Sequence, residues 1–500
     1  GAEPGQGADA GEDRSAGDGV SMGLWPWTRR KKAQAFGHVM LVRARFDAAQ
    51  TTPDNRKHWA SADHLSADAA ASAEVRRTLR NRARYEVANN SYARGIVLTL
   101  ANDVIGTGPR LQLLTDAPEV NQTVEREFMA WAKAVDLPGK LRTMRQARAQ
   151  DGEAFALLFS NPGLDSPVKL DIRLIEADQV TTPDLSPAKA NVVDGIVFDE
   201  YCNPSLYHVL KGHPGGNIAY VGGGYDKVPA KDMIHWFRCD RPGQSRGLPD
   251  ILPALPLFAQ LRRYTLAVIG AAESAANIAV LMKTSAPAGG EAAEVEPMTE
   301  MEFSPNMAVF TPEGWEPSQV KAEQPATTYS EFKREILNEV ARCLNMPRNV
   351  ALCDSSGYNY ASGRLDHQTY FKSIRVEQAH CEAVVLDRIL TAWLAEAVRV
   401  LRLSGLDDAP HQWFWDGHEH VDPQKEASAQ AQRLSSHTTT LATEYARQGK
   451  DWETELRQRA KELALMKELG LTVAQAAPQP AGEDEKTDRQ GEEDEDRAAA

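Results

Sequence analysis

Cysteine is scarce in this 500-residue chain: Cys202, Cys239, Cys343, Cys353 and Cys381 are an odd number with no CxxC pair. That excludes a disulfide framework and a cysteine-built zinc site, and reads as free thiols in a reducing compartment. Positive charge is also in deficit, with 56 Lys and Arg against 70 Asp and Glu and a net charge of −14. A protein that simply coats nucleic acid needs a basic footprint, so that class is excluded. There is no GxGxxG or GK[ST] phosphate loop, and "GTGPR" at Gly106 and "VGGGY" at Val221 read as turns. HExxH and HxxEH are absent, and no GxSxG nucleophile elbow is recognised. At the N-terminus no charged segment leads into an apolar run with a small-residue cleavage site, so nothing there marks secretion.

Long apolar runs are nearly absent too. Tyr264–Met282 has the length of a membrane span, but Glu273, Ser274 and Asn277 interrupt it and Ala dominates the rest. A central carboxylate costs a few kcal/mol (about 3) at the bilayer centre and Ala returns little, so a close-packed helix is expected rather than a membrane pore.

The composition otherwise suits a folded protein of several structural units, with 42% hydrophobic and 25% charged residues. Residues 1–20 are Gly, Ala and Asp rich and hold no core. The last 24 residues carry nine acidic and three basic side chains, a solvated tail. Residues 60–105 have apolar positions at helical spacing (Val75, Leu79, Ala83, Val87, then Tyr92, Ile96, Leu100, Val104), with Arg76, Arg77, Arg80, Arg82 and Arg84 on the other faces. Those arginines read first as a solvated face pairing with acidic neighbours and second as a nucleic-acid face. From Gly106 to Phe237, apart from helices near 120–135 and 141–152, short β-rich runs alternate with Pro, Gly, Asn and Asp breaks. The fold class expected is α+β, with an antiparallel, hairpin-rich body. A helix is expected over 250–283, a broken segment with one short strand ("MAVFT") follows, then a helix over 329–345. A polar loop leads into a helix of about 60 Å over 362–403, at 1.5 Å per residue. Helices follow over 422–470.

One constellation suggests chemistry: His411, His418 and His420, with Asp416 and Asp422, fall within a dozen residues. His418 and His420 would point the same way on a strand, so a metal-dependent hydrolase is the competing functional reading.

Four stretches, in order, carry a more specific signal: Arg80–Gln112 ("RNRARYEVANNSYARGIVLTLANDVIGTGPRLQ"), Met233–Leu255 ("MIHWFRCDRPGQSRGLPDILPAL"), Asn359–Arg364 ("NYASGR") and Val421–Ala429 ("VDPQKEASA"). Together they resemble the portal proteins of lambda-type tailed bacteriophages and prophages, over approximately residues 55–470. Gly363 departs from the helix former expected there.

The resemblance implies a portal architecture assembled as a ring, expected to be dodecameric. Carried over by order of elements, residues 1–55 are a flexible segment, 56–248 a wing, 249–284 a stem helix, 285–327 a clip and 328–346 a second stem helix. A tunnel loop covers 347–361, a long wing helix and turn 362–420, crown helices 421–471 and a disordered acidic tail 472–500. The implied role is structural, not enzymatic, with no cofactor and no metal: a ring at one capsid vertex of the virion, assembled in the host bacterial cytoplasm, through which double-stranded DNA is packaged and ejected. Implied partners are further copies of the chain, viral DNA, the terminase large subunit, the major capsid protein and scaffold, and a head-completion adaptor, with no membrane. Lys333, Arg334, Arg342 and Arg348 are the expected DNA-facing cations, with Ser355, Ser356, Gly357 and Tyr358 at the loop tip. Ala271, Ala275 and Ala279 are expected to let stem helices of neighbouring copies approach closely. A channel that lets a duplex slide must avoid many tight phosphate contacts, which a net acidic chain with scattered cations suits.

Overall fold

The computed structural model describes residues 53, 56–182, 191–216, 224–277, 281–284, 315–318, 328–357, 359–403, 406, 409–417 and 423–471, with backbone alone for 274–277, 281–284, 315–318, 360–362 and 423. The chain divides into two units at His64. Of the first unit, the described part is a run of turns closed by Ala62 N–H donating to the Trp59 carbonyl at 3.0 Å.

The second unit opens with α1 (Ala67–Ala70), α2 (Ala73–Asn89) and α3 (Ser91–Ile105). The break between α2 and α3 has a local cause. Asn90 is extended (φ −122°), and its Oδ1 accepts from the N–H groups of Tyr92 and Ala93 at 3.0 and 3.3 Å, capping the next helix. α3 buries Ile96, Leu100 and Val104 as its spacing predicts. α2 does not follow its pattern: Arg76, Arg80, Ala83 and Glu86 are buried, while Val75 is 42% exposed. The expected apolar face of α2 is therefore rotated by about one position, because buried carboxylates from distant segments attract the arginines.

β1 (Arg110–Leu113) leads to α4 (Pro118–Ala134) and α5 (Leu137–Asp151), the two helices expected near 120–135 and 141–152. The β-rich body then holds β2 (Glu153–Ser160), β3 (Leu170–Ile175), β4 (Val192–Val193), β5 (Ile196–Phe198), β6 (Pro204–Leu210), β7 (Tyr225–Pro229) and β8 (Met233–Phe237). These form two antiparallel sheets, ordered β3-β2-β8 and β4-β5-β6-β7, as the hairpin-rich texture predicts.

α6 runs over Leu255–Asn277, after a 3-10 turn at 252–254. It ends before the expected Lys283: Leu281–Thr284 is a strand (β9) paired antiparallel with β10 (Trp315–Ser318). Pairing in the ladder there replaces continuation of the helix. The expected "MAVFT" strand lies outside the described residues. α7 (Tyr329–Arg342) and α8 (Arg348–Leu352) precede the long helix. That helix is α9 (Tyr360–Cys381), one π turn at Glu382–Leu386, and α10 (Asp387–Val400), so it runs on through Gly363. β11 (His411–Phe414), α11 (Pro423–Ser435), α12 (Leu441–Arg447) and α13 (Trp452–Glu468) are the last elements among the described residues. Among the described residues no helix is long and apolar enough to cross a membrane.

The larger core lies where α3, α4, α5 and α10 meet. β11 pairs antiparallel with β1 across some 300 residues of sequence, Arg110 opposite Phe414. This brings Trp413 to Phe128 (ring centroids 5.7 Å), which also meets Trp393 and Trp131 at 5.3 Å each. Trp131 donates Nε1–H to the Leu170 carbonyl at 2.7 Å, so its indole is buried without an orphaned donor. A smaller core of Phe155, Ile175, Val180, Ile196, Tyr207, Val209 and Met233 fills the space between the two sheets.

Candidate functional site

The polar segment between α7 and α9 is built from backbone features that a helix could not hold. Asn345 and Cys353 have positive φ (53° and 52°), as has Gly357 (72°), where a Cβ would meet no atom within 4 Å. Pro347 pre-sets the first turn of α8. Met346 and Ala351 are buried, anchoring α8 to the core, while Ser355, Ser356 and Gly357 are exposed. Asp354 accepts from Ser356 N–H at 2.9 Å, closing the turn. The Ser356 side chain, and then that backbone bond, hold its carboxyl below the ordinary range. Asn349 Nδ2 and His367 Nε2, 3.0 Å apart, tie α8 to the start of the long helix. The segment expected as loop from 347 thus begins as a helical turn, and the exposed tip is shorter.

The four expected cations differ. Lys333 lies with its ammonium 5.0 Å from the Tyr92 ring centroid and 5.9 Å from that of Tyr329, turned back onto the protein by cation–π attraction. Arg334 is exposed and 3.7 Å from Asp354, an ion pair worth little in water. Arg342, at the end of α7, donates to Asn345 Oδ1 at 3.1 Å. Arg342 and Arg348 line one cleft of about 520 Å³ with Asn338, Gly357 and Asp366. Tyr358 lies outside the described residues. Ala271 is half-buried on α6; Ala275 is on the same helix, and Ala279 lies outside the described residues.

The structure adds residues that spacing alone did not single out. Glu153 and Arg246 are wholly buried and joined by Nη2 to Oε1 at 2.6 Å and Nε to Oε2 at 2.8 Å, with Nε also 3.1 Å from Oε1. His235 Nε2 lies 3.0 Å from Glu153 Oε2, and Gly247 N–H donates to the same oxygen at 3.1 Å. Burial alone would raise the Glu153 carboxyl; the charge of Arg246, then the hydrogen bonds from His235 and Arg246, hold it well below the ordinary carboxylate range. Arg80 approaches Glu153 at 3.4 Å and Asp178 at 3.1 Å, and Arg76 pairs with Asp194. Arg246 Nη1 also donates to the Val180 carbonyl at 3.0 Å. The stretch "RPGQSRGLPD" is therefore a buried lock. Gln244 ties its own turn by accepting from Asp240 N–H and Arg241 N–H, Arg246 joins β2 to the 177–194 segment through Glu153, Val180 and Asp194, and Asp250 pairs with Arg145 at 2.8 Å. A Cβ at Gly247 would sit 2.1 Å from the Gly152 carbonyl oxygen, so only glycine permits this approach.

The histidine constellation does not assemble a metal site among the described residues. His411 directs Nε2 to Asp387 (3.1 Å) and Nδ1 to the Ala409 carbonyl (2.9 Å). Asp416 accepts from the Thr107 N–H and hydroxyl, fixing the "GTG" turn. His418, His420 and Asp422 lie outside the described residues. A different trio, Glu176, Asp178 and His213, brings ligand atoms within 4.8 Å of one another. Arg84 already supplies the cation there, 2.8 Å from Asp178 and 3.5 Å from Glu176. In letters, GxSxG does occur at 19–23 and 243–247. The first lies outside the described residues; in the second, Ser245 donates to Asp68 at 2.7 Å, and no histidine among the described residues is bonded to it. An elbow also needs a sharp strand-to-helix turn, and Ser245 is in neither element's turn.

The family model for phage portal proteins of the lambda family matches residues 53–378. A curated protein described as a probable portal protein, from Halomonas phage phiHAP-1, is 24% identical over 431 residues, covering 79% of this chain and 81% of its own. Among solved structures, a chain from the neck of a native gene transfer agent (GTA) particle is 11% identical with a TM-score of 0.46, covering 73% of this chain and 92% of its own. One from the neck of an empty GTA particle is 12% identical with a TM-score of 0.45, covering 73% and 91%. With a family match over well more than half of its length, the chain belongs to the lambda family of phage portal proteins.

Proposed function

We propose that this phage structural protein assembles with further copies of itself into a closed ring, twelve copies being the expected number, at one vertex of the capsid. Double-stranded DNA passes through the ring on packaging and ejection, the terminase large subunit docks to it from outside, and the head-completion adaptor follows after filling. The single observation that carries the reading is the family match over residues 53–378.

The structure supports it physically. Leu266 and Ile269 on α6 are 64% and 48% exposed, and Phe332 on α7 is 48% exposed. Apolar groups on two adjacent helices suit burial against a repeated neighbour, as a heterologous ring interface requires. In this ring the exposed tip at Ser355–Gly357 projects into the lumen, and the long helix behind it is the spoke that carries it. Of the expected DNA-facing cations, Lys333 then touches DNA only lightly, since it is engaged by the rings of Tyr92 and Tyr329. No chemistry is assigned to the chain; the packaging motor supplies ATP hydrolysis.

Native mass spectrometry of the purified chain, with negative-stain images, tests this. A discrete ring near twelve copies with a central hole is the expected result. A stable monomer or dimer under all assembly conditions contradicts it, as does intrinsic ATP hydrolysis by the purified ring.

A further inference from the structure

A second cavity, of about 420 Å³, lies between the end of α7, the middle of α9 and the segment 238–250. Its buried charged wall includes Arg145, only 2% exposed, which donates Nη1 to Asp250 Oδ2 at 2.8 Å and brings Nε to 3.1 Å from Glu377 Oε2. The other oxygens of these two carboxylates are also engaged: Asp250 Oδ1 lies 3.1 Å from Arg238, and Glu377 Oε1 accepts from Arg148 at 2.8 Å. Arg238 pairs outward with Asp240 at 2.6 Å. Each carboxylate at the cavity is thus ion-paired with guanidinium groups, while Asp250 Oδ1, Glu377 Oε2 and Arg145 Nε make no hydrogen bond among the described residues.

Two lining cations are left over. Lys372 is exposed with no ion pair among the described residues, and Arg342 donates only to the neutral Asn345 side chain. The Nη2 group of Arg145 likewise has no partner among the described residues. The lining therefore has four cations, Arg145, Arg238, Arg342 and Lys372, against two carboxylates. In a concave, partly dry site a surplus of this sign is repulsive until an anion enters, and the attraction is stronger there than in bulk water. Burial opposes charge at Arg145 and Arg238, yet Asp250 with Glu377 at the first, and Asp240 with Asp250 at the second, lift both above the ordinary value. Burial lowers Arg148 from its ordinary value; Asp250 pulls it up, Arg145 pushes it down and Glu377 pulls it up, with a net lowering. Cys343 contributes no competing anion: burial pushes its thiol up to about 11.

We propose that this cavity is an oxyanion site that takes a phosphate group, carried either by a free phosphate compound or by a nucleic-acid backbone. A tetrahedral phosphate can use a buried guanidinium and the two rim cations at once, and its double charge matches the surplus of two. The site does not depend on the channel reading, because it is formed within one copy of the chain.

The test is calorimetric titration of the full-length protein with inorganic phosphate, at ionic strength held constant with chloride. Saturable binding of one phosphate per chain is expected, weakened about tenfold or more in Arg342→Gln/Lys372→Gln, because each loses a charge-assisted hydrogen bond. Lys372→Arg should bind nearly as the parent does. Both altered side chains are exposed, so an unchanged thermal midpoint shows that the double variant is folded. A short DNA duplex that competes with phosphate assigns the backbone as the source; binding without competition assigns a free phosphate compound. Absence of saturable binding, equal binding by the double variant, or exclusion of phosphate from assembled rings by a neighbouring copy's carboxylate overturns the proposal.

Discussion

Replacing Arg246 by Met removes the cation that holds Glu153 charged in the centre of the β-rich body. Both side chains are fully buried, so water does not reach the carboxylate to replace the lost bonds. Arg80 at 3.4 Å and His235 at 3.0 Å remain, but neither supplies the paired geometry of Arg246. Breaking one side of a buried ion pair costs about 3–5 kcal/mol, against about 0–1 for a surface pair. Urea unfolding followed by tryptophan fluorescence reads this directly, since Trp236 is buried on β8, next in sequence to His235. The double variant Glu153→Gln/Arg246→Met removes the stranded charge and should lose less than the sum of the two single variants, with a coupling of about 2 kcal/mol. An Arg246→Met midpoint within about 1 kcal/mol of the parent, or additivity within about 0.5 kcal/mol, would refute the view that these residues act as one lock.

Burial holds His235 below its ordinary value despite the hydrogen bond that its ring donates to Glu153. The unfolded chain therefore takes up the proton first. Stability from the neutral ring is present above about pH 6.5 and falls as pH drops toward the lowered folded value. His235→Gln should flatten that part of the stability profile, and an unchanged slope would count against it. Glu153, held below its ordinary value, adds stability above about pH 4.5 that is lost as pH falls through its folded value, so acid unfolding should move to higher pH in Glu153→Gln. Trp393→Ala should cost about 3–5 kcal/mol in unfolding midpoints, from the lost contacts with Phe128 and Trp131 and the cavity left behind. Trp393→Phe should cost much less, because the buried indole N–H has no partner to lose. Deleting Ser355–Tyr358 should leave ring assembly intact in images and reduce DNA packaging or retention in particle assays; failure of assembly itself would remove the loop from the lumen.

Local order and family were legible in the chain of letters. The helices at 118–134 and 137–151, the strands at 153–160, 170–175 and 233–237, and the long helix after residue 360 follow from periodicity and turn residues, which depend on neighbours in sequence. The ordered motifs from Arg80 to Arg364 pointed to portal proteins, and residues 53–378 match that family. What periodicity could not show was which face of α2 is inward. Val75 fits a hydrophobic stripe, yet Arg76 and Arg80 are buried, because Glu153, Asp178 and Asp194 arrive from segments 73 to 118 residues away. The pairing of β1 with β11, the anchoring of His411 and Asp416, and the cationic surplus around Arg145 have the same origin. Local pattern specifies which element a segment can form; only the folded arrangement brings distant charges within a few ångströms, where burial makes their pairing decide the register.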